Sequence, residues 1–457
     1  MKPKTIMQTA DTMSQLSRRD FLKTGSAAMA GLAVASPALA QANKETLAAA
    51  GGGKTVTFDE KRHTALLRWP RYGDAEKNAV CATIDGNTFY GELPAFEKEW
   101  QHYLQAPFVR SHMNGTSALT SMYFALSLDL PPGSEIMVPS YTFFATIVPL
   151  RFFQFVPIFI DLDPKTACFD LEDAKRKLTP LTRAVVPMHS WGMPCEMDKI
   201  NAWAKEKGLI VCEDAAHAHG ASIGGKKVGT LSDMGIFSFQ ASKVMPLIEG
   251  GMGIYSTREY YERASAFGHY EAPPKFPENS PYRKYDGTGF GQKYRMHPLA
   301  ASIGRVQLKG LDAMNAAVAG RVKKLNQRLT QLAGLSEPWI RADMQRVYYA
   351  INMLLLDEKK AGFTRNQAMK ALQAEGVKFG GFATGYPEQH KFHMYSEAKW
   401  WHHPIQIPNS LPGTTQVNAT ALHLPLFYED APELDEQYVK AFEKVWARKT
   451  DVAKIKA

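Results

Sequence analysis

Short runs of apolar residues alternate with amphipathic segments through the middle of this chain. The apolar runs at 135–139, 184–188 and 209–212 have the length of buried β-strands. The segment 197–207 has helical periodicity and stops at Gly208, a residue type that commonly ends helices. Strands that alternate with helices in this way predict an α/β domain whose mainly parallel sheet is flanked by helices. The same criteria place further strands at 155–160, 235–239 and 253–255, and further helices at 116–128 and 171–178.

The pattern changes after Pro298. A long helical stretch at 299–333 is followed by an apolar strand at 347–356, a helix at 365–374, and loops rich in Trp, His and Pro. Because 457 residues are too many for one hydrophobic core, we predict two domains. The predicted division is a large α/β domain over 108–312, an N-terminal segment at 58–107 that packs on it, and a smaller α+β C-terminal domain over 313–457.

Composition and charge narrow the class of protein. Hydrophobic residues make up 45% of the chain and charged residues 22%, which are ordinary values for a globular protein. The net charge of +9 is mild for this length, and no basic block with interleaved aromatic residues occurs, so we predict no nucleic-acid binding. The four cysteines form no C-x-x-C pair and the C-terminal histidines have no standard spacing, so we expect no metal site and, by default, no disulfide.

The first 40 residues carry an export motif. Residues 17–23 spell S-R-R-D-F-L-K, and the mildly apolar run 24–40 that follows ends in A-L-A. Paired arginines before such a run predict export by the twin-arginine (Tat) machinery to the periplasm, with cleavage near Ala40. The alternative is a membrane anchor, for which a run of small residues this short is poorly suited. Residues 41–57, rich in Ala and Gly, are then expected to form a flexible leader.

Candidate functional residues follow the ends of the predicted strands. Lys243 comes after the strand at 235–239, Asp214 after the strand at 209–212, and Phe143 after the strand at 135–139. A fourth candidate is the run Gly115-Thr116-Ser117 at the start of the helix at 116–128. Taken singly, each has a simpler explanation, namely a solvated loop lysine, a helix cap, a core phenylalanine and another cap.

Together, these four features meet the demands of pyridoxal 5'-phosphate (PLP). The cofactor needs a lysine amine to form a Schiff base with its aldehyde and a carboxylate to pair with its pyridine nitrogen. Its phosphate is bound well by the N–H groups at a helix start, and an aromatic side chain can stack on its ring. Because the carboxyl ends of parallel strands meet at one edge of a sheet, Lys243, Asp214 and Phe143 are expected to converge there.

The order of these motifs resembles the DegT/StrS family of PLP-dependent sugar aminotransferases, which have fold type I. The resemblance covers about 108–312 well and 345–428 loosely. It rests on the runs G-T-S-A-L (115–119), V-P-S-Y-T-F (138–143), D-L-D-P (161–164), H-S-W-G-M-P (189–194), E-D-A-A-H-A-H-G-A (213–221), F-S-F-Q-A-S-K (237–243), E-G-G-M (249–252) and G-F-G-Q-K-Y-R-M (289–296).

The resemblance implies a role for each matching position. Lys243 would form the Schiff base and carry the proton during transamination, and Asp214 would pair with the pyridine nitrogen. His217 stands where the family has Gln, beside the phenolic oxygen of the cofactor. The remaining implied cofactor contacts are Gly115, Thr116, Ser117 and Ser238 at the phosphate, Phe143 on the ring, and Lys293 and Arg295 from a partner subunit, which implies a homodimer.

The expected activity is transfer of an amino group between an amino donor and a keto or aldehyde group of a sugar or peptide-derived substrate. Family dehydratases have histidine at the position of Lys243, so this residue argues against that branch. Two alternatives stay open: another PLP amine-processing enzyme, such as an oxidative deaminase or decarboxylase, and a non-catalytic sensor or scaffold. Because nucleotide-linked sugars are cytoplasmic, an exported enzyme is expected to act on a different compound.

Overall fold

The computed structural model describes residues 45–380 and 385–456. The predicted export signal at 1–40 and its cleavage near Ala40 lie outside the described residues. Within the described part of the chain, no helix is both long enough and apolar enough to cross a membrane.

A seven-stranded sheet, counted over the described residues, forms the centre of the molecule. Its strand order is β1-β11-β10-β7-β6-β2-β3, and the five strands from β10 to β3 run parallel to one another. The strands of the molecule are β1 (Phe108–His112), β2 (Glu135–Pro139), β3 (Val156–Ile160), β4 (Leu162–Asp163), β5 (Cys168–Phe169), β6 (Thr182–Val185), β7 (Ile210–Asp214), β8 (Ser222–Ile223), β9 (Lys226–Lys227), β10 (Met234–Ser238), β11 (Gly251–Tyr255), β12 (Leu335–Ser336), β13 (Met344–Gln345), β14 (Ile351–Leu356) and β15 (Ala421–Pro425).

Helices pack against this sheet because its inner strands are buried, with every residue of β2, β10 and β11 buried. The described α-helices are α1 (Glu60–Leu66), α2 (Asp74–Asp85), α3 (Phe89–Leu104), α4 (Gly115–Ser127), α5 (Leu171–Arg176), α6 (Met197–Lys207), α7 (Arg258–Ala266), α8 (Pro298–Leu329), α9 (Glu358–Ala361), α10 (Arg365–Ala374), α11 (His393–Ser396), α12 (Pro412–Thr420), α13 (Pro432–Ala447) and α14 (Lys449–Val452). The α/β class predicted from the apolar pattern is confirmed.

A second, antiparallel sheet has the order β12-β14-β15. Buried residues of β14, β15, α10 and α13 form a separate hydrophobic cluster beside it. The 32-residue helix α8 crosses the predicted domain boundary at 312/313, so the boundary itself stays a prediction.

The strand predicted at 347–356 begins only at Ile351. The Val347 and Tyr349 N–H groups donate instead to the carbonyl oxygens of Gly192 and Trp191, at 3.0 and 3.5 Å. Ala350 then adopts a positive φ of 60°, which interrupts the extended backbone before β14 starts. This detour brings residues 347–349 next to the loop after β6.

Residues 46–57 are not the flexible leader expected from their composition. Leu47 and Val56 are buried in the cluster beside the second sheet. The buried carboxylate of Glu375 accepts hydrogen bonds from the Ala48 N–H at 2.8 Å and the Thr55 hydroxyl at 2.8 Å. Lys444 pairs with the same carboxylate at 2.9 Å. The expectation was wrong here because it considered local composition alone, whereas the contacts come from residues more than 300 positions away.

Candidate active site

One large cavity opens at the carboxyl edge of the central sheet and has a volume of about 1120 Å³. Its walls combine residues that follow β2, β7 and β10 with residues from the loop after α10. The predicted site residues that line it are Gly115, Thr116, Phe143, Asp214, His217, Ser238 and Lys243. Seven of the ten predicted site residues therefore line one cavity.

Asp214 ends β7 at the bottom of this cavity. Its Oδ2 atom accepts a hydrogen bond from the Thr146 hydroxyl at 2.8 Å, and its Oδ1 atom accepts one from the Ala216 N–H at 3.1 Å. Burial raises the pKa of the Asp214 carboxyl, while these hydrogen bonds and the charge of Lys243 oppose the rise. The result is a buried, oriented carboxylate that faces the cavity and can pair with a cationic ring nitrogen.

The neighbouring residue Glu213 fixes the end of β7. Its carboxylate is fully buried and accepts hydrogen bonds from the Gly229 N–H at 2.7 Å and from the Leu231 N–H at 2.7 Å. His189 Nε2 donates to the same carboxylate at 3.0 Å, because its Nδ1 accepts from the Cys195 N–H. Together these bonds hold the backbone from which the Asp214 side chain projects.

Lys243 lies on a tight turn directly after β10. Its N–H donates to the Gln240 carbonyl at 2.8 Å, and its own carbonyl accepts a hydrogen bond from the Trp69 indole at 3.0 Å. The Nζ atom lies 4.6 Å from the centroid of the Tyr349 ring. The Tyr349 hydroxyl bonds in turn to Ser242 at 2.9 Å. The turn thus holds the lysine over an aromatic face inside the cavity.

The start of α4 forms a cradle with Ser238. A Cβ atom on Gly115 would lie 2.7 Å from the Ser238 Cβ atom, so only glycine lets the two segments approach so closely. The N–H groups of Gly115 and Thr116 belong to the first helical turn and have no acceptor within the helix. These N–H groups and the Ser238 hydroxyl can bind a phosphate.

Ser117 belongs to the N-terminal cap of α4. Its hydroxyl donates to the Asn114 carbonyl at 2.8 Å, and its N–H donates to the Asn114 side chain at 2.8 Å. Its hydroxyl hydrogen is used within this capping box, and the expected phosphate contact of Ser117 stays a prediction.

Lys293 and Arg295 do not line the cavity of their own chain. Lys293 is exposed, and Arg295 pairs with Glu271 at 3.2 Å. The Tyr294 carbonyl between them accepts a hydrogen bond from the Met113 N–H, next to the start of α4. Their assignment to the site of a partner subunit, and the homodimer that it implies, stay predictions.

An aromatic stack that sequence reasoning missed forms one side of the cavity. The His217 ring stacks on Tyr349 with centroids 4.0 Å apart, and its Nε2 atom bonds to the Tyr386 hydroxyl at 3.1 Å. Tyr386 in turn stacks on Trp191 at 4.9 Å. Burial and the charge of Lys243 hold the pKa of His217 well below its usual range, so this ring is neutral.

Trp191 reaches the stack because its backbone is unusual. It has a positive φ of 53°, a region that bulky residues rarely adopt, and Gly192 follows with a φ of 82°. A Cβ atom on Gly192 would lie 2.4 Å from the Val347 carbonyl oxygen. The H-S-W-G-M-P run at 189–194 was the available signal for Trp191, whereas Thr146, Tyr349 and Tyr386 had no comparable signal.

The cavity fits PLP at three places. The buried carboxylate of Asp214 suits the protonated pyridine nitrogen, and the cradle of Gly115 and Ser238 suits the phosphate. The buried Nδ1 atom of His217 has no hydrogen-bond partner among the described residues, and the phenolic oxygen of the cofactor would supply one. Fold and site thus define an α/β protein whose cavity fits PLP.

Comparisons with known proteins identify the family. Residues 70–442 match the model of the DegT/DnrJ/EryC1/StrS aminotransferase family, and the chain belongs to this family. A solved aminotransferase from Psychrobacter cryohalolentis is similar with a TM-score of 0.73 and 26% identity, covering 83% of this chain and 98% of that one.

Two relatives have names that refer to sugar chemistry. GDP-perosamine synthase of Escherichia coli O157:H7 is 30% identical over 342 residues, which cover 74% of this chain and 88% of that protein. The spore coat polysaccharide biosynthesis protein SpsC of Bacillus subtilis (strain 168) is 30% identical over 378 residues, 80% of this chain and 93% of that protein. The resemblance inferred from the sequence motifs is therefore confirmed at the level of the family.

Proposed function

We propose that this enzyme transfers an amino group between an amino donor and a keto or aldehyde group of a sugar or peptide-derived compound in the periplasm. The observation that carries the proposal is the convergence of Lys243 and Asp214 in one cavity whose edge holds the phosphate cradle. PLP, when bound, supplies an electron sink that lets a proton leave the carbon bearing the transferred nitrogen.

Lys243, Asp214 and His217 have separate roles in this reaction. Lys243 Nζ would hold the cofactor and, once released, would take the proton from the substrate carbon and deliver it to the second carbon of the transamination. Asp214 keeps the ring nitrogen protonated, because a buried carboxylate beside it stabilises the positive charge. In the tautomer that has its hydrogen on Nδ1, neutral His217 accepts from the Tyr386 hydroxyl through Nε2 and can donate to the phenolic oxygen.

The donor and the location are parts of the same proposal. A relative from Streptomyces kanamyceticus has L-glutamine in its name, and this supports L-glutamine as the first donor to test. The export motif at residues 17–23 supports the periplasm as the location. Lys293 and Arg295, which lie outside the cavity of their own chain, support a homodimer in which each site is completed by the partner.

Absorbance spectroscopy of the purified full chain tests the activity. We expect a visible band from the lysine-bound cofactor that L-glutamine or another amine bleaches. Lys243→Ala should lack the band, while the surface variant Lys399→Ala, which lies outside the cavity, should keep it. A protein that takes up no PLP, or whose band no amine changes, would refute the proposed activity.

Cell fractionation tests the location. Cells with a twin-arginine system should place the full chain in the periplasm, and the double variant Arg18→Lys/Arg19→Lys should remain in the cytoplasm. Periplasmic delivery of both proteins to the same extent would contradict twin-arginine export.

A further inference from the structure

The active-site cavity has an apolar wall. Beyond the residues expected to contact the cofactor, it is lined by Phe144, Val148, Phe392 and Met394. Phe144 is 46% exposed and Phe392 is 47% exposed, which is unusual for side chains of this size. Exposed aromatic groups that line a concave site commonly bind an apolar part of a ligand.

The two parts of this wall are held together. Phe144 follows β2, and Phe392 lies directly before α11. The Gln389 side chain donates to the Thr142 carbonyl at 3.0 Å and accepts from the Tyr395 hydroxyl at 3.1 Å. Because both bonds are buried, the wall is a formed surface and not a pair of unrelated loops.

The charged residues that line the cavity limit the ligands that it can bind. Among the described residues that line it, Lys243 is the only lysine or arginine, whereas Asp214 and Glu249 bring two carboxylates. Of the two basic residues expected from a partner subunit, Arg295 is already paired with Glu271, and Lys293 is expected at the cofactor phosphate.

A nucleoside diphosphate would fit such a cavity poorly. Proteins bind diphosphates with arginine, lysine or metal ions, which compensate the lost hydration of the charged oxygens. Here the one lysine is committed to the cofactor, and the Glu249 carboxylate would repel an anion. An apolar group, by contrast, would gain free energy by covering Phe144 and Phe392.

We infer that the substrate of this enzyme carries an uncharged, apolar group of about the size of a benzene ring near its reacting carbon, and no nucleoside diphosphate. This inference rests on the proposed aminotransferase function and narrows its substrate class. In the half-reaction, the amine nitrogen stays on the cofactor, the substrate carbon loses two electrons, and water supplies the oxygen of the new carbonyl group.

Three amines test the inference in the holoenzyme. The rate of bleaching of the visible band is measured with ethylamine, 2-phenylethylamine and GDP-perosamine. We expect 2-phenylethylamine to exceed ethylamine in kcat/KM by about tenfold or more, since each apolar group bound in a pocket commonly contributes such a factor. GDP-perosamine should react no faster than ethylamine.

Variants of the apolar wall test whether its side chains cause the preference for 2-phenylethylamine. Phe392→Ser and Phe144→Ser should each reduce the ratio of kcat/KM for 2-phenylethylamine to kcat/KM for ethylamine. Phe152→Ser is the matched control, because Phe152 is 64% exposed but lies outside the cavity. Calorimetry gives a readout independent of turnover: 4-phenylbutanol should bind to the wild type more tightly than GDP, and Phe392→Ser should lose that binding.

Each outcome is decisive. A preference for GDP-perosamine, tighter binding of GDP than of 4-phenylbutanol, or a ratio that neither wall variant changes would overturn the inference and leave the aminotransferase function intact. Bleaching of the visible band by L-glutamine, with neither ethylamine nor 2-phenylethylamine reacting, would also overturn the inference. If no amine bleaches the band, the proposed function itself has failed.

Discussion

Replacing Thr146 with valine should weaken PLP binding by about ten- to 150-fold. Valine keeps the shape of threonine and removes only the hydroxyl that donates to Asp214 Oδ2 at 2.8 Å. Both side chains are buried, so water cannot replace the lost donor. A hydrogen bond to a charged group contributes about 1.5–3 kcal/mol, and each 1.4 kcal/mol is about tenfold in Kd, which gives this range.

The pH dependence of the Thr146 variant should shift in a defined direction. The hydrogen bond from Thr146 lowers the pKa of Asp214, and burial raises it. Without the hydroxyl, the pKa of Asp214 rises further, so its carboxylate is protonated at a higher pH than in the wild type. Because the protonated form cannot pair with the cationic ring nitrogen, the defect in cofactor binding should grow as the pH falls.

Titration of the cofactor-free protein with PLP, followed by absorbance between pH 6 and pH 8, measures both effects. Thr146→Ser retains the hydroxyl and should bind close to the wild type. If Thr146→Val binds PLP as tightly as Thr146→Ser at every pH, the hydrogen bond to Asp214 does not support the cofactor and the reasoning fails.

Three further predictions concern positioning and stability. Trp69→Phe, which removes the donor to the Lys243 carbonyl, should slow bleaching by L-glutamine without changing the urea midpoint; an unchanged rate would contradict this. Glu375→Leu should cost about 3–5 kcal/mol in urea unfolding because it leaves Lys444 buried and unpaired, and adding Lys444→Met should recover much of the loss. Burial raises the pKa of Asp435 to about 6, so the protonated carboxyl favours the folded state at low pH and this contribution is lost as the pH rises through 6. Asp435→Asn should therefore be more stable than the wild type at pH 8 but not at pH 4, as measured by urea unfolding.

The central sheet and the residues at its carboxyl edge could be predicted because each leaves a signal within a short stretch of sequence. Each apolar run around residues 135–139 and 209–212 is short and continuous, and the polar residue that follows it lies at the edge where strand ends meet. Position at the strand ends therefore predicted that Asp214 and Lys243 line one cavity, whereas their roles came from the joint pattern and the family resemblance. The cradle at Gly115 was found because a helix start that binds phosphate needs a small residue.

The aromatic stack and the docked segment 46–57 could not be predicted, because their contacts join distant parts of the chain. Trp191, Tyr349 and Tyr386 come from three loops that only the folded sheet brings together. Leu47 and Val56 stand apart among Ala, Gly and Thr, and show no periodicity. No window of sequence contains both partners of such a contact, so pattern reasoning assigned Tyr349 to the strand predicted at 347–356 and Leu47 and Val56 to a flexible leader.

The attachment of residues 46–57 sets an order of events during synthesis of the protein. Its two buried anchors, Glu375 and Lys444, are made long after the segment itself has left the ribosome. Until residue 444 has been synthesised, Leu47 and Val56 have no completed surface to bury against. The segment therefore joins the structure late, and a protease that cuts it in young chains but not in finished ones would report when folding is complete.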